Sequence, residues 1–308
     1  MSTLLLTHAA CAGHLAGTGH PESPDRLRAV QQALQGEPFQ ALQRAEAPRA
    51  GKEAIVRVHP EAYIAQLEAA APSSGVVHLD ADTMMTPGSL EAAYRAAGAV
   101  VAAVDAVVEG RAKNAFCAVR PPGHHAEPNR PMGFCLFNNI AIGALQARSV
   151  HGIERIAVVD FDVHHGNGTE ARFRDDRNLV YVSSHQSPLY PGTGDAASRG
   201  VGNIFNAPLP PFAGSAEIRR IYTEALLPAL DDFRPELVLV SAGFDAHKND
   251  PLANLELVED DYAWLTRELV ALARRHAGSR LVSTLEGGYN LQALAGSVSC
   301  HVSELMAA

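Results

Sequence analysis

The chain has 308 residues, with 25 lysines and arginines against 34 aspartates and glutamates, a formal net charge of −9, and 14 histidines. A hydrophobic content of 47% with a mean hydropathy of −0.04 is that of a soluble globule, neither disordered nor membrane-embedded. The longest uninterrupted run of apolar or small residues, 96–104, is nine residues and too short to cross a bilayer. The opening Met1-Ser2-Thr3-Leu4-Leu5-Leu6 has no basic segment and only three leucines, so no secretory signal is expected there. Cys11, Cys117, Cys135 and Cys300 form no Cys-x-x-Cys pair, which argues against a zinc ribbon and suits reduced thiols in a cytoplasm. An isoelectric point near 5.8 with no Lys/Arg block speaks against direct nucleic-acid binding and favours a cationic partner or substrate.

In chain order the pattern predicts a strand over 4–7, helices over 24–35 and 88–109, a strand over 115–119, a helix over 138–150, and strands over 155–161, 179–184 and 203–209. A helix over 215–233, a strand over 236–241, a helix over 259–277, a strand over 280–285 and a helix over 290–305 complete it. Ile156-Ala157-Val158-Val159 and Leu237-Val238-Leu239-Val240 are wholly apolar, as parallel strands buried on both faces are. Alternation of this kind implies one α/β domain over 1–308, a central mostly parallel sheet with helices on both faces. No repeat, low-complexity tract or long linker divides it.

Ligand sites in such sheets lie beyond the carboxyl ends of the strands. The unusual residues fall there: Arg120-Pro121-Pro122-Gly123-His124-His125, Asp160-Phe161-Asp162-Val163-His164-His165-Gly166-Asn167-Gly168, Ser241-Ala242-Gly243-Phe244-Asp245 and Glu286-Gly287-Gly288-Tyr289. Asp162 and His164 are spaced to share one face of an extended strand end. With Asp245 from a second strand end they make a three-ligand set for a catalytic divalent metal, with a position left for water. His124 and His125, in a stiff Pro-Pro-Gly loop, suit proton transfer near neutral pH. Asp160 is placed to orient an imidazole, and Tyr289 to donate to a developing oxyanion. His165 and His185 are expected to support the site loops. Pro191-Gly192-Thr193-Gly194-Asp195 lacks the lysine of a phosphate cradle and reads as a structural loop, Cys135 as a buried structural thiol. A two-metal ureohydrolase site is the chemical competitor, but Gly166 and His247 stand where it needs further carboxylates, so the count favours one metal.

Together with Gly19-His20-Pro21-Glu22-Ser23-Pro24-Asp25-Arg26-Leu27, Gly133-Phe134-Cys135-Leu136-Phe137-Asn138-Asn139 and Tyr190-Pro191-Gly192-Thr193-Gly194-Asp195, these blocks resemble the histone deacetylase family, in particular bacterial class II-like deacetylases and acetylpolyamine amidohydrolases. The resemblance runs nearly end to end and implies an arginase/deacetylase-like fold and zinc-dependent hydrolysis of an N-acetyl amide. It makes Asp162, His164 and Asp245 the ligands of one Zn2+, His124 and His125 the proton-transfer pair held by Asp160, and Tyr289 the carbonyl-polarising group. It gives Gly133, Phe134, Tyr190 and Leu252 to the substrate channel, and a structural K+ or Na+ to the carbonyls of Asp160, Asp162, His164 and Ser184 with the Ser183 hydroxyl. Asn167 stands where class I members carry an Asp, which leaves His125 more easily neutral than His124. Leu252 takes the place of a gatekeeping Glu used by dedicated polyamine deacetylases, which disfavours acetylpolyamine as main substrate. Asp80 and Asp82 fall in the segment where relatives position the substrate backbone with an Asp. The implied substrate is an acetylated lysine peptide or protein; small N-acetyl amines, acyl esters, an idle acyl-lysine-binding module and a homo-oligomeric state stay open.

Overall fold

In the computed structural model, which describes residues 2–17 and 19–308, the apolar runs become strands β1 (Thr3–Thr7), β5 (Asn114–Cys117), β6 (Ile156–Asp160), β7 (Leu179–Gln186), β8 (Ile204–Leu209), β9 (Leu237–Ala242) and β10 (Leu281–Leu285). The sequence reading lacks β2 (Gln43–Glu46) and the two-residue strands β3 (Val77–His78) and β4 (Met84–Met85). All four residues of β2 are exposed, so this sheet edge has no apolar pattern to read. The main sheet has eight strands in the order β2-β1-β5-β10-β9-β6-β7-β8, and every neighbouring pair is parallel. β3 and β4 form a separate antiparallel ribbon.

Ten α-helices are present among the described residues: α1 (Pro24–Ala33), α2 (Lys52–Ile55), α3 (Glu61–Ala70), α4 (Ser89–Val108), α5 (Asn139–His151), α6 (Asn167–Phe173), α7 (Ser215–Ile221), α8 (Leu227–Phe233), α9 (Glu259–His276) and α10 (Leu291–Met306). α4 packs on α5 in one layer, while α9, α10 and α1 pack together in another. The helix expected over 215–233 is divided by a π turn at Tyr222–Leu226, just before Pro228, whose ring nitrogen cannot donate to the preceding turn. α2, α3 and α6 are absent from the sequence reading. α2 is a single turn, α3 shows its signal in Tyr63, Ile64 and Leu67 along one buried face, and α6 begins within the glycine-rich 166–168 motif.

Local chemistry sets the boundaries. Asn138 and Asn290 cap α5 and α10 by accepting from the N–H groups of Ala141 and Ala293, each at 3.0 Å. Glu259, Asp260 and Asp261 open α9 and Arg274, Arg275 and His276 close it, each matched to the helix dipole. No described helix is long and apolar enough to cross a membrane.

Beneath the carboxyl edge lies a fully buried ion cluster. Glu22 accepts from Arg26 at 3.0 Å and from Arg120 at 2.5 Å, and all three side chains have no exposure. Burial favours the neutral acid, yet Arg120, with His14 and Arg26, holds the Glu22 carboxyl down to about 2. Because that value lies below the ordinary one of 4.5, Glu22 contributes its full stabilisation above about pH 4.5 and loses it as pH falls toward 2. Glu22→Gln would leave two buried guanidiniums short of a counter-charge; denaturant unfolding at pH 7 is expected to show a loss of about 3–5 kcal/mol, shrinking below pH 4.

Candidate active site

The four segments that carry the histidines, aspartates and Tyr289 follow β5, β10, β9 and β6, which are consecutive neighbours in the middle of the sheet. Segments far apart in sequence therefore meet. Two glycines let them close up: a Cβ on Gly243 would fall on the Asp162 carboxylate, and one on Gly287 would lie 2.6 Å from Asp162 Oδ2 and strike Asp245 as well.

Asp162, His164 and Asp245 offer ligand atoms that all lie within 4.8 Å of one another, the one such set of three or more His, Cys, Asp or Glu among the described residues. His164 Nδ1 stands 3.1 Å from Asp162 Oδ1 and 3.2 Å from Asp245 Oδ2. The opposite oxygens are tied to main chain: Asp162 Oδ2 accepts the Gly287 N–H at 2.8 Å, and Asp245 Oδ1 the Val163 N–H at 2.9 Å. Each carboxylate is thus held from behind with one oxygen presented forward. Two carboxylates and an imidazole on one side, with His164 lining a cavity on the other, fit a divalent cation that keeps an open position.

His124 and His125 lie with ring centroids 4.0 Å apart and ring planes tilted by 46°. His124 Nδ1 donates to Asp160 Oδ2 at 3.0 Å, and its Nε2 lies 3.8 Å from Asp162 Oδ1. Burial opposes charge on this ring, but Asp160 and Asp162 overcome it and push its pKa up to about 10. His125 Nδ1 donates to Asn167 Oδ1 at 2.9 Å, and Asn167 Nδ2 donates to Glu127 at 2.9 Å, which fixes the amide the right way round. Burial, followed by repulsion from His124 and His164, holds His125 well below the usual histidine range. Asp160 thus favours charge on one ring of the pair, while burial and the neighbouring imidazoles favour the neutral form of the other.

Both rings, His164 and Tyr289 line a cavity of about 230 Å³. Its walls include Gly133, Phe134, Tyr190 and Leu252, so the four residues expected in a channel are together. Tyr190 stands edge-on to His125 at 5.1 Å, and Phe134 edge-on to Tyr289 at 6.0 Å. Leu189 and Asp82 also line it; Asp82 accepts from the Gly133 N–H at 3.1 Å, which resolves its place, whereas Asp80 accepts within its own turn. Tyr289 is half-buried, and desolvation raises its phenol pKa, so it is a hydrogen-bond donor; Arg26 lies 4.9 Å from its ring centroid.

The supporting loop is where sequence places it. His165 donates to Glu170 at 2.9 Å and meets Thr193 Oγ1 at 2.8 Å, and His185 donates to the Gly194 carbonyl at 3.0 Å, so the Tyr190 loop is tied down by two imidazoles. The remaining nitrogen of His185 accepts from Ser183 at 2.9 Å, which leaves the Ser183 oxygen lone pairs available. Cys135 is fully buried with its thiol turned to the Gly133 carbonyl, and burial raises its pKa. Sequence reasoning overlooked Asp250, Arg26 and Glu286, which hold the site from outside; Arg26 and Glu286 had the signal of position inside the same blocks, whereas Asp250 lies outside them.

Comparison with known proteins agrees with this geometry. The histone deacetylase domain matches residues 20–305. The chain is similar to the histone deacetylase-like amidohydrolase of Pseudomonas aeruginosa, 42% identical over 281 residues that cover 89% of this chain and 74% of the relative. It is also similar to chloroplastic histone deacetylase 14 of Arabidopsis thaliana, 39% identical over 317 residues that cover 96% and 75%. The crystal structure of the HDA15 HD domain superimposes with a TM-score of 0.94 at 32% identity, covering 99% of this chain and 88% of that one. A match of that extent makes this chain a member of the histone deacetylase family.

Proposed function

We propose that the protein is a zinc-dependent amidohydrolase that removes acetyl groups from lysine-like amines and releases acetate. The observation that carries the reading is the convergence of the Asp162–His164–Asp245 set, the unequal histidine pair and Tyr289 on one cavity. A Zn2+ held by Asp162, His164 and Asp245 supplies Lewis acidity toward the acyl oxygen and a water. The chain's own groups do the rest. Neutral His125, its Nδ1 committed to Asn167, takes the proton of the attacking water on Nε2. Charged His124, held by Asp160, returns a proton to the departing amine. Tyr289 donates a hydrogen bond to the oxygen on which negative charge develops. Phe134, Tyr190 and Leu252 give an apolar sleeve for a methylene chain while Asp82 sits at its lining.

The apolar Leu252 in the wall supports acyl-lysine over polyamine, because Asp82 is the one carboxylate among the cavity's lining residues to answer a second ammonium. The same reading assigns a structural K+ or Na+ to the carbonyls of Asp160, Asp162, His164 and Ser184 with the Ser183 hydroxyl, whose lone pairs are free for it. Reduced, unpaired cysteines support a cytoplasmic location, although a relative carries the name chloroplastic.

Tyr289→Phe is expected to lower kcat on an acetyl-lysine peptide about 10²–10³-fold, the usual cost of losing one oxyanion donor, with bound zinc unchanged; wild-type turnover would sink the role given to the phenol. Dialysis against a chelator should abolish hydrolysis and lower Tm, with both restored by added Zn2+; activity that survives metal-free preparation would overturn the reading. Rates on acetyl-lysine peptide, acetylputrescine and a simple ester, measured side by side, should rank in that order.

A further inference from the structure

The loop that carries Tyr289 has nearly every main-chain polar group committed to a partner. Arg26 donates to the carbonyls of Glu286 and of Gly288, the latter at 2.6 Å. The Gly287 N–H goes to Asp162, and the Gly287 carbonyl accepts from the Phe244 N–H at 3.0 Å. The Tyr289 N–H donates to Asp250 Oδ2 at 2.7 Å, and the Asn290 N–H reaches the same oxygen at 3.4 Å.

Asp250 has a second commitment. Its Oδ1 accepts the N–H of Leu252 at 3.0 Å, and its own N–H donates to the His247 carbonyl at 2.8 Å. The carboxylate is 7% exposed and does not line the cavity, whereas Tyr289 and Leu252 both do. One rigid, planar group therefore spaces the main chain of the phenol against the main chain of the channel wall. A carboxylate is the group this requires, because both oxygens must accept from N–H donors that belong to different loops. An amide of the same shape presents one acceptor and one donor, so one of the two loops must face an unpaired N–H against an NH2.

We propose that Asp250 is a positioning residue that locks the channel wall at Leu252 to the phenol at Tyr289, so that acyl-chain selectivity and turnover are set together. This rests on the role given to Tyr289 above. It differs from simple support of the fold, because loosening the lock must alter discrimination between acyl chains as well as rate.

The experiment compares wild type, Asp250→Asn, Leu252→Ala and the double variant on acetyl-lysine and butyryl-lysine peptides, with zinc content and Tm measured on each. Asp250→Asn is expected to bind zinc as wild type does, to lose tenfold or more in kcat on the acetyl peptide, and to raise the butyryl-to-acetyl ratio of kcat/KM at least threefold. Leu252→Ala should raise the ratio as well, and the double variant should raise it by less than the product of the two single effects. If Asp250→Asn does not fold, Asp250→Glu, which keeps both acceptors on a longer arm, is scored by the same ratio. An unchanged ratio with reduced kcat marks a structural role only and overturns the proposal, as does wild-type kcat. Tyr289→Phe run alongside separates the two readings: full activity there removes the function proposed above, whereas an inactive Tyr289→Phe beside an unaltered Asp250→Asn removes this inference alone.

Discussion

The site depends on one recurrent bond, a buried carboxylate of one loop accepting the main-chain N–H of another. Asp162 takes Gly287, Asp245 takes Val163, and Glu286 takes Gly123 at 2.7 Å and His124 at 3.2 Å. Carboxylates packed this closely repel one another and lose hydration, so each must be compensated where it stands. Amides do this without adding a side chain that would occupy the cavity. They also convert the electrostatic problem into a mechanical solution, since a donor taken from a neighbouring loop fixes that loop. The short separations required explain why glycine is found at 243 and 287.

The histidine pair shows how the partners at Nδ1, Asp160 and Asn167, divide two identical side chains. Both rings are buried to the same degree, so desolvation pushes both toward neutrality. Asp160 reverses this for one ring, while the neutral amide of Asn167 leaves the other to its surroundings. A proton donor and a proton acceptor thus stand 4.0 Å apart by centroid without any difference between the residues themselves. The orientation of the Asn167 amide, and with it the tautomer of His125, is set one step further out by Glu127.

Much of the site was readable in the chain because its residues cluster beside glycines at the ends of apolar runs, a pattern that a parallel sheet imposes for its own reasons. Strand adjacency was not readable. Nothing in the sequence orders β5, β10, β9 and β6 side by side, and that order is what unites the ligands. The edge strand β2 is invisible because all its residues face solvent. Nor does the i,i+4 spacing of Glu22 and Arg26 reveal that both side chains are completely enclosed. Asp250 and Arg26 carry no motif that predicts their bonds, since those bonds are made to backbone atoms distant in sequence.

β10 occupies the centre of the sheet, between β5 and β9, although it is the last strand along the chain. Its register partner on β5 for Leu281 is Asn114, a separation of 281 − 114 = 167 residues. Closing so long a loop carries its entropic cost before any contact is rewarded, so this pairing is among the slow events of folding. During synthesis the earlier strands must wait with a gap at their middle until β10 has left the ribosome. Because β9 and β6 pair directly, the three ligand residues can meet before then, but the histidine pair beyond β5 and the tyrosine join them only when β10 fills the gap.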